Sequence, residues 1–404
     1  MDNIAAARNR SGTRWSPREY FALNRTVLAA ATAVGLMSLS ENLWRRFLPK
    51  YLEALGAPIA AIGFFGTAED FLDGVYQYPG GWLGDRFGRR AALVGLIGAA
   101  ALGYLAYWRA PTWQWVFAGL VLVMAWSSMA SPALFSIIGD ALPPHQRAMG
   151  FTVQSIVKRV PIAVAPTIGG LVIAAYGIQI GMRHLLLVSV ALAGVAAVAC
   201  SVIQIDRIAS HRITIAGVWR SLPSELRRLL LSDVFIRTCD AMVDVFLVLY
   251  ATNVIGISAP RFGMLLAVQA VTAIAVYIPV SRMSDRGHRK PFVAATFLFF
   301  AAFPIAVILA RSMWALVGAF VIGGLREIGE PSRKAMIVGM AEPAIRARSI
   351  GLYYLIRSLA ISPAAFIGGV LWTVAPALPF VIAGGFGLIG AIVFVVTVDE
   401  RHAA

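Results

Sequence analysis

About twelve long apolar stretches follow one another along this chain, and they constrain its fold more than any other feature. A helix needs about 20 mostly apolar residues to cross a bilayer. Lipid offers no partner to backbone N–H and C=O groups, so such stretches must be helical. Charged residues make up only 14% of the chain, against about 25% in soluble domains. The sequence therefore predicts an all-α membrane protein with spans near 20–44, 58–79, 91–108, 113–139, 148–174, 184–204, 230–252, 261–281, 291–310, 313–338, 349–373 and 376–398.

The second half of the chain repeats features of the first half about 200 residues later. The charged segment 81–90 recurs at 281–290, each time as a predicted loop between two spans. Further matches are Leu55-Gly56 with Ile255-Gly256, Ile62-Gly63 with Phe262-Gly263, and Thr167–Gly170 with Phe366–Gly369. Internal repeats of this kind are typical of secondary transporters. We predict six-helix bundles at 20–204 and 230–398, a cytoplasmic linker at 205–229, an N-terminal cytoplasmic segment at 1–19 and a tail at 399–404.

The net charge of +15 follows from an uneven distribution of lysine and arginine. With an even number of spans and the N-terminus inside, most basic residues lie on the cytoplasmic side, as the positive-inside rule requires. Arg45, Arg46 and Lys50 are exceptions, because this topology places them outside. We therefore expect an inner-membrane protein with both termini cytoplasmic and no nucleic-acid partner. Cys200 and Cys239 lack metal-ligand spacing, so no metal or cofactor is expected.

The segment 81–90 resembles the loop between the second and third spans of the major facilitator superfamily. Every fixed position of that motif is present, namely Gly81, Leu83, Asp85, Arg86, Gly88, Arg89 and Arg90. The second copy is degenerate, because Gly287 comes one place early and His288 stands where the glycine should be. The resemblance implies two pseudo-symmetric six-helix bundles around a central cavity. It also implies a cytoplasmic gate in which Asp85 caps a helix of the other half and Arg86 or Arg89 pairs with Asp140.

A second resemblance lies in the fifth predicted span. The stretch Ala165–Gly170 looks like the end of the antiporter motif of the same superfamily, with Ala165 in place of a glycine. Small residues also allow two helices to pack closely in a membrane. The motif therefore leaves two interpretations open, antiport and ordinary helix packing.

Charged residues inside the predicted spans are the candidates for chemistry. Each would cost about 2.5–3.5 kcal/mol at a helix centre, so they must pair, bind substrate or protons, or face water. Arg326 and Glu330 are one turn apart and are expected to neutralise each other, whereas Asp70 is expected to face a neighbouring helix. The proton-coupling candidates are Glu69, Asp73, Asp244 and Glu330. The substrate candidates are Lys158, Arg357, Arg237, Asp240, Arg326, Tyr76 and Gln154.

These features predict a secondary transporter that works by alternating access. The first hypothesis is proton-coupled antiport, exporting a small organic compound. The first alternative is an exchanger or symporter of an anionic metabolite, because Lys158 and Arg357 coincide under the repeat and two cations suit a carboxylate or phosphate. A divalent metal exporter is a third possibility. The chain carries no nucleophile or histidine-rich motif, so an enzyme is not expected, and one chain holds both halves, so a monomer suffices.

Overall fold

A computed structural model describes residues 25–87, 89–141, 147–201, 223–286, 289–340 and 346–398. These residues are helical almost throughout, which confirms the all-α prediction. The α-helices are α1 Arg25–Asn42, α2 Leu48–Ala54, α3 Ile59–Phe87, α4 Arg89–Arg109, α5 Trp113–Ala141, α6 Arg147–Tyr176, α7 Ile178–Ser201, α8 Ser224–Leu249, α9 Ala259–Arg286, α10 Lys290–Leu309, α11 Met313–Leu325, α12 Glu330–Met340, α13 Arg346–Ile361, α14 Pro363–Val374 and α15 Leu378–Thr397.

Eight segments of the described chain are long and apolar enough to cross a membrane. They coincide with eight of the predicted spans. The other four predicted spans correspond to α1, α3, α8 and the pair α11–α12, which carry the interior acids or are interrupted. Helix α11 is apolar but only 13 residues long, whereas α3 and α8 carry charged side chains within their apolar stretches.

Residues 81–87 and 89–90 of the charged segment are helical rather than a loop, so the loop prediction was wrong at these positions. Helix α3 continues to Phe87 and α4 begins at Arg89. In the second half, α9 continues to Arg286 and α10 begins at Lys290. Arginine and lysine are good helix formers, so a helix can continue beyond the apolar region to its charged end.

Equivalent glycines show that the two halves share a local structure. Gly56 and Gly256 both adopt left-handed φ angles, 84° and 80°, which glycine reaches without steric cost. Each ends a short helical segment and precedes the next long helix. The repeat seen in the sequence is therefore also a repeat of backbone conformation.

The halves meet through two equivalent pairs of helices. Helix α3 packs against α13 and α14, and α6 packs against α9. A Cβ on Gly63 would lie 2.6 Å from the carbonyl oxygen of Ala365, and one on Gly263 would lie 2.4 Å from that of Pro166. These glycines occupy equivalent positions of the repeat, so the contact between the halves follows a pseudo-twofold axis.

Among the described residues, the two halves are packed most closely at one end of the bundle, which we call the closed end. It is formed by residues 43–58, 166–177, 250–263 and 363–377. Phe47 and Phe262 meet there edge to face, with ring centroids 5.9 Å apart. The segment 81–90 lies at the opposite end of α3, about 30–40 Å along a helix of this length.

Several helices are interrupted where charged side chains enter the interior. After α1, the chain makes a 3₁₀ turn at Arg45–Phe47, and after α8 it makes a π turn at Tyr250–Val254. Helix α11 ends at Leu325 and α12 begins at Glu330, so Arg326 and Glu330 do not lie on one continuous helix. The expected pair between them is replaced by other partners.

Candidate transport site

Asp233 is the centre of a buried ionic cluster in the second half. Its side chain is 1% exposed, and Arg333, which is 2% exposed, donates from Nη1 to Oδ2 at 2.6 Å. The Tyr353 hydroxyl donates to the same oxygen at 3.0 Å, and Arg357 Nη1 lies 3.6 Å from it. Helices α8, α12 and α13 therefore meet at one carboxylate.

Glu330 forms the second centre of this cluster. Arg333 donates to it from Nη2 at 2.8 Å and from Nε at 3.0 Å. Arg237 Nη2 lies 3.2 Å from Oε2, and Lys334 Nζ lies 3.5 Å from Oε1. Three cations around one carboxylate hold it in its ionised form.

Asp240 binds Arg326. Asp240 thus takes the place of Glu330, which the sequence predicts as the partner of Arg326. Arg326 Nη1 lies 2.6 Å from Asp240 Oδ1, and the guanidinium also stacks 4.3 Å from the ring centroid of Phe303. Arg237 Nη1 lies 3.8 Å from the other oxygen of Asp240. The short distance and the aromatic contact make this a well-ordered pair in the interior.

The cluster contains one more arginine than acids. The arginines are Arg237, Arg326, Arg333 and Arg357, and the acids are Asp233, Asp240 and Glu330. Arg357 is the most weakly held of the four, because it shares its carboxylate oxygen with two closer donors. Its Nε has no hydrogen-bond partner, and its guanidinium stacks 4.6 Å from the ring of Tyr354.

The first half has a smaller ionic group around Arg45. Arg45 Nη2 binds Glu69, and Nη1 lies 3.8 Å from Glu41. The sequence places Arg45 outside, and the 3₁₀ turn after α1 directs its side chain to an acid of α3. Asp73, one turn further along α3, accepts a hydrogen bond from the Ser128 hydroxyl at 2.7 Å.

Lys158 presents an exposed side chain on α6. No ion pair within 4.0 Å joins it to another described residue, so it does not bind the acids of α3. Its carbonyl oxygen accepts from the Ser38 hydroxyl at 2.9 Å. The neighbouring Arg159 lies 4.0 Å from Glu327 of the other half.

Five polar residues join the halves at the closed end, and we call them the axial latch. Arg46 of the first half, which the sequence places outside, binds Asp244 of α8. Asn253 Nδ2 donates to Glu53 Oε1 at 2.7 Å, and Lys50 Nζ binds both side chains. Glu53 and Asn253 are 200 residues apart and occupy equivalent positions, so they meet at the pseudo-twofold axis.

Beside the axial latch lies a small cavity between the halves, with a volume of about 40 Å³. This is room for two or three waters at roughly 10–15 Å³ each. Its walls carry two cations and two acids from both halves, Arg45, Arg46, Glu69 and Asp244. The cavity therefore leaves room for water beside these charged groups.

The remaining predicted residues have mixed placements. The Tyr76 hydroxyl donates to the carbonyl oxygen of Val121 at 3.1 Å, within the first half. The structure does not describe the side chains of five predicted residues, which are Gln154, Asp140, Asp85, Arg86 and Arg89. Gly88 lies entirely outside the described residues. Gly81 lies within α3, and Arg90 is exposed. The gate therefore stays a prediction.

The sequence reasoning missed three interior charges, Glu41, Asp233 and Arg333. Asp233 precedes Arg237 by four residues and Arg333 follows Glu330 by three, so both lie on helix faces already identified. This spacing of three or four residues could have identified Asp233 and Arg333 from the sequence. Among the described residues, no group of three His, Cys, Asp or Glu side chains could hold a metal ion.

The stretch Ala165–Gly170 lies within the continuous helix α6. A Cβ on Gly169 would lie 2.0 Å from the carbonyl oxygen of Leu43, and one on Gly170 would lie 2.5 Å from that of Ala259. Both glycines are required for close helix packing, within the first half and between the halves. The antiport interpretation of this motif remains a prediction.

Comparison with known proteins gives a consistent result over the whole chain. A family model described as Major Facilitator Superfamily matches residues 30–239 and 229–404. The chain is 20% identical over 385 residues to an uncharacterized MFS-type transporter of Methanocaldococcus jannaschii, which covers 92% of this chain and 94% of that protein.

Solved structures of transporters share the fold at low sequence identity. A POT family transporter in complex with 5-aminolevulinic acid has a TM-score of 0.79 at 11% identity, covering 94% of this chain and 97% of that chain. A bacterial homolog of the human lysosomal transporter Spinster, inward-facing and occupied, has a TM-score of 0.74 at 14% identity, covering 96% and 98%. The nucleoside transporter NupG has a TM-score of 0.76 at 11% identity, covering 92% and 99%. These similarities concern the fold.

Proposed function

Since the chain belongs to the major facilitator superfamily, we propose that this membrane transporter exchanges a small organic compound for protons by alternating access. We place both termini in the cytoplasm and the protein in the inner membrane, acting as a monomer. In this topology the closed end faces outward, and the Asp85 motif lies on the cytoplasmic side.

The axial latch supports alternating access. Its contacts join the two halves directly, and Arg46 and Asp244 are 39% and 53% exposed. Exposed ion pairs contribute about 0.2–1 kcal/mol each, so these polar contacts themselves add little to the cost of opening this end. A second set of contacts at the Asp85 motif, formed when the latch opens, would complete the cycle.

The interior acids support proton coupling. The proposed candidates remain Glu69, Asp73, Asp244 and Glu330. Asp244 binds Arg46 of the opposite half, so a proton on Asp244 would remove one of the contacts that hold the closed end together. Glu330 differs from the others, because three cations surround it and favour its ionised form.

The test uses proteoliposomes that contain a pH-sensitive dye and an imposed pH gradient. A panel of organic solutes is added outside, and we expect at least one to drive proton movement in the opposite direction. Asp244→Asn should uncouple this movement, whereas Glu225→Gln should not, because Glu225 pairs with the 53% exposed Arg228. Solute flux that ignores the pH gradient would contradict the proposal.

The weak hold on Arg357 supports a second candidate function, transport of an anionic metabolite. Arg357 has an Nε without a hydrogen-bond partner, and Lys158 has no ion pair with a described residue. Both can bind a carboxylate or a phosphate. We expect Arg357→Gln to lose binding of anions in a thermal-shift screen, with Lys334→Gln, whose side chain is 54% exposed, as the control. Equal binding of anions by both variants would contradict this alternative.

A further inference from the structure

A cavity of about 720 Å³ lies on the surface of the first half, between the end of α4 and the starts of α5 and α7. Its walls include two arginines, Arg109 and Arg183, and two tryptophans, Trp108 and Trp115. Small-molecule sites commonly have volumes of roughly 300–1,000 Å³, so this cavity has room for a sizeable ligand. None of its described lining residues belongs to the ionic cluster or the axial latch, so it is a separate site.

Two hydrogen bonds of α2 place this cavity at the level of the closed end. The Tyr51 hydroxyl of α2 donates to the carbonyl oxygen of Tyr107 in α4 at 3.3 Å. Gln179 Nε2 of α7 donates to the carbonyl oxygen of Ala54 in α2 at 2.7 Å. In the proposed topology this level is the outer membrane–water interface, where tryptophan is enriched and arginine is the less common choice.

The protein supplies no counterion for the two arginines of the cavity. Within the described part of the chain, no ion pair within 4.0 Å joins Arg109 or Arg183 to an acid. Helices α4 and α7 contain no acidic residue, and the one acid of α5, Asp140, lies at the opposite end of that helix. The Tyr51 hydroxyl interacts with Arg183 but is neutral and does not offset its charge. Both guanidinium groups therefore remain available to an anion from outside the chain.

The charged and aromatic walls of the cavity belong to the first half alone. Helices α4 and α10 end 200 residues apart, and α5 and α11 begin 200 residues apart. In that register, Leu309 stands in the place of Arg109 and Ala315 in the place of Trp115. The internal repeat therefore does not account for these two side chains.

Exposed apolar side chains continue from the cavity toward the middle of the membrane. Leu102 lies seven residues before Arg109 on α4, and Leu187 lies four residues after Arg183 on α7. These spacings keep each leucine on the same helix face as its arginine. A ligand that matches this surface has an anionic head beside the arginines and an apolar chain along the two helices.

We propose that this cavity binds an anionic phospholipid of the surrounding membrane. Arg109 and Arg183 bind its phosphate through charge-assisted hydrogen bonds, and its acyl chains lie against Leu102 and Leu187. The exposed indole of Trp115 packs its ring on the lipid and keeps its N–H toward the head group. A soluble phosphate ester would make only the polar contacts, and a zwitterionic lipid would bring a cation that the arginines repel. Binding requires no transport, so this inference is independent of the proposed exchange.

Native mass spectrometry of the protein in detergent, with phosphatidylglycerol added, counts the bound lipid directly. We expect the wild type to retain phosphatidylglycerol at concentrations where phosphatidylcholine is not retained. The double variant Arg109→Gln with Arg183→Gln should bind it about 30-fold more weakly, which is the loss expected for two basic side chains at an anionic head group. The matched control is Arg311→Gln, which removes an exposed arginine from the equivalent hairpin of the second half and should bind as the wild type does.

A second double variant, Arg109→Lys with Arg183→Lys, keeps both charges and should recover much of the binding. Both arginines are exposed, and an elution profile that matches the wild type confirms that each variant is folded. Equal retention of phosphatidylglycerol by the wild type and the glutamine double variant would overturn the proposal, and so would an equal loss in Arg311→Gln. Displacement of the lipid by an equal concentration of glycerol 3-phosphate would identify a site for soluble phosphate esters and would overturn the lipid assignment.

Discussion

Asp233 offers the sharpest test of the ionic cluster, because its charge can be removed with little change of shape. Asp233→Asn keeps an oxygen that can accept a hydrogen bond from Tyr353. It removes the negative charge that lies 2.6 Å from Arg333 and 3.6 Å from Arg357. Without the exposed Lys334, four arginines against three acids leave one uncompensated positive charge, and the substitution raises that to two.

The expected loss follows from the burial of this pair. Asp233 and Arg333 are 1% and 2% exposed, and removing one partner of a buried pair costs about 3–5 kcal/mol. Arg333 keeps its contacts with Glu330, which places the expected loss nearer 3 kcal/mol than 5 kcal/mol. Against a stability margin of about 5–15 kcal/mol, this is a large effect.

Reversible denaturation in detergent, followed by tryptophan fluorescence, measures this loss. A double-mutant cycle with Asp233→Asn and Arg333→Gln should give a coupling energy of at least about 2 kcal/mol. The control cycle uses Glu225→Gln and Arg228→Gln, a pair on α8 with a 2.8 Å contact whose arginine is 53% exposed, and should give less than about 1 kcal/mol. Equal coupling energies in the two cycles would refute the buried, ionised pair.

Two further predictions concern the contacts between helices. Glu53→Cys with Asn253→Cys, treated with a short thiol cross-linker, should lock the closed end and stop transport until the link is cleaved. The cross-linker should react only at the two new cysteines, because both native cysteines are buried. Transport that continues in fully cross-linked protein would contradict the axial latch. Gly169→Ala should cost about 1–3 kcal/mol in the same denaturation assay, since its Cβ would lie 2.0 Å from a carbonyl oxygen. Gly95→Ala, with open space around the new Cβ, should change stability by no more than about 1 kcal/mol.

The helical class and the internal repeat could be predicted from the sequence, because both depend on local patterns. Long apolar stretches cross a bilayer as helices. The match of Gly56 with Gly256 corresponds to the same left-handed backbone conformation in both halves. Gly63 and Gly263 likewise make equivalent contacts across the interface. A repeated glycine is informative because close backbone approach leaves no room for another residue.

The partners of the interior charges could not be predicted from spacing on one helix. Arg326 and Glu330 have the spacing of a pair, but the interruption between α11 and α12 turns Arg326 toward Asp240. Arg45 lies beyond the apolar part of its span, yet the 3₁₀ turn returns it to Glu69. Helix interruptions and rotations between helices decide these contacts, and neither leaves a periodic signal in the sequence.

Charged pairs within one half and charged pairs between the halves differ in how deeply they are buried. The pair of Asp233 with Arg333 lies within one half and is almost fully buried, so breaking it costs several kcal/mol. The pair of Arg46 with Asp244 joins the halves and is 39% and 53% exposed, so breaking it costs about 1 kcal/mol or less. This difference fits the proposed alternating access, in which each half moves as a rigid body while the contacts between the halves are exchanged.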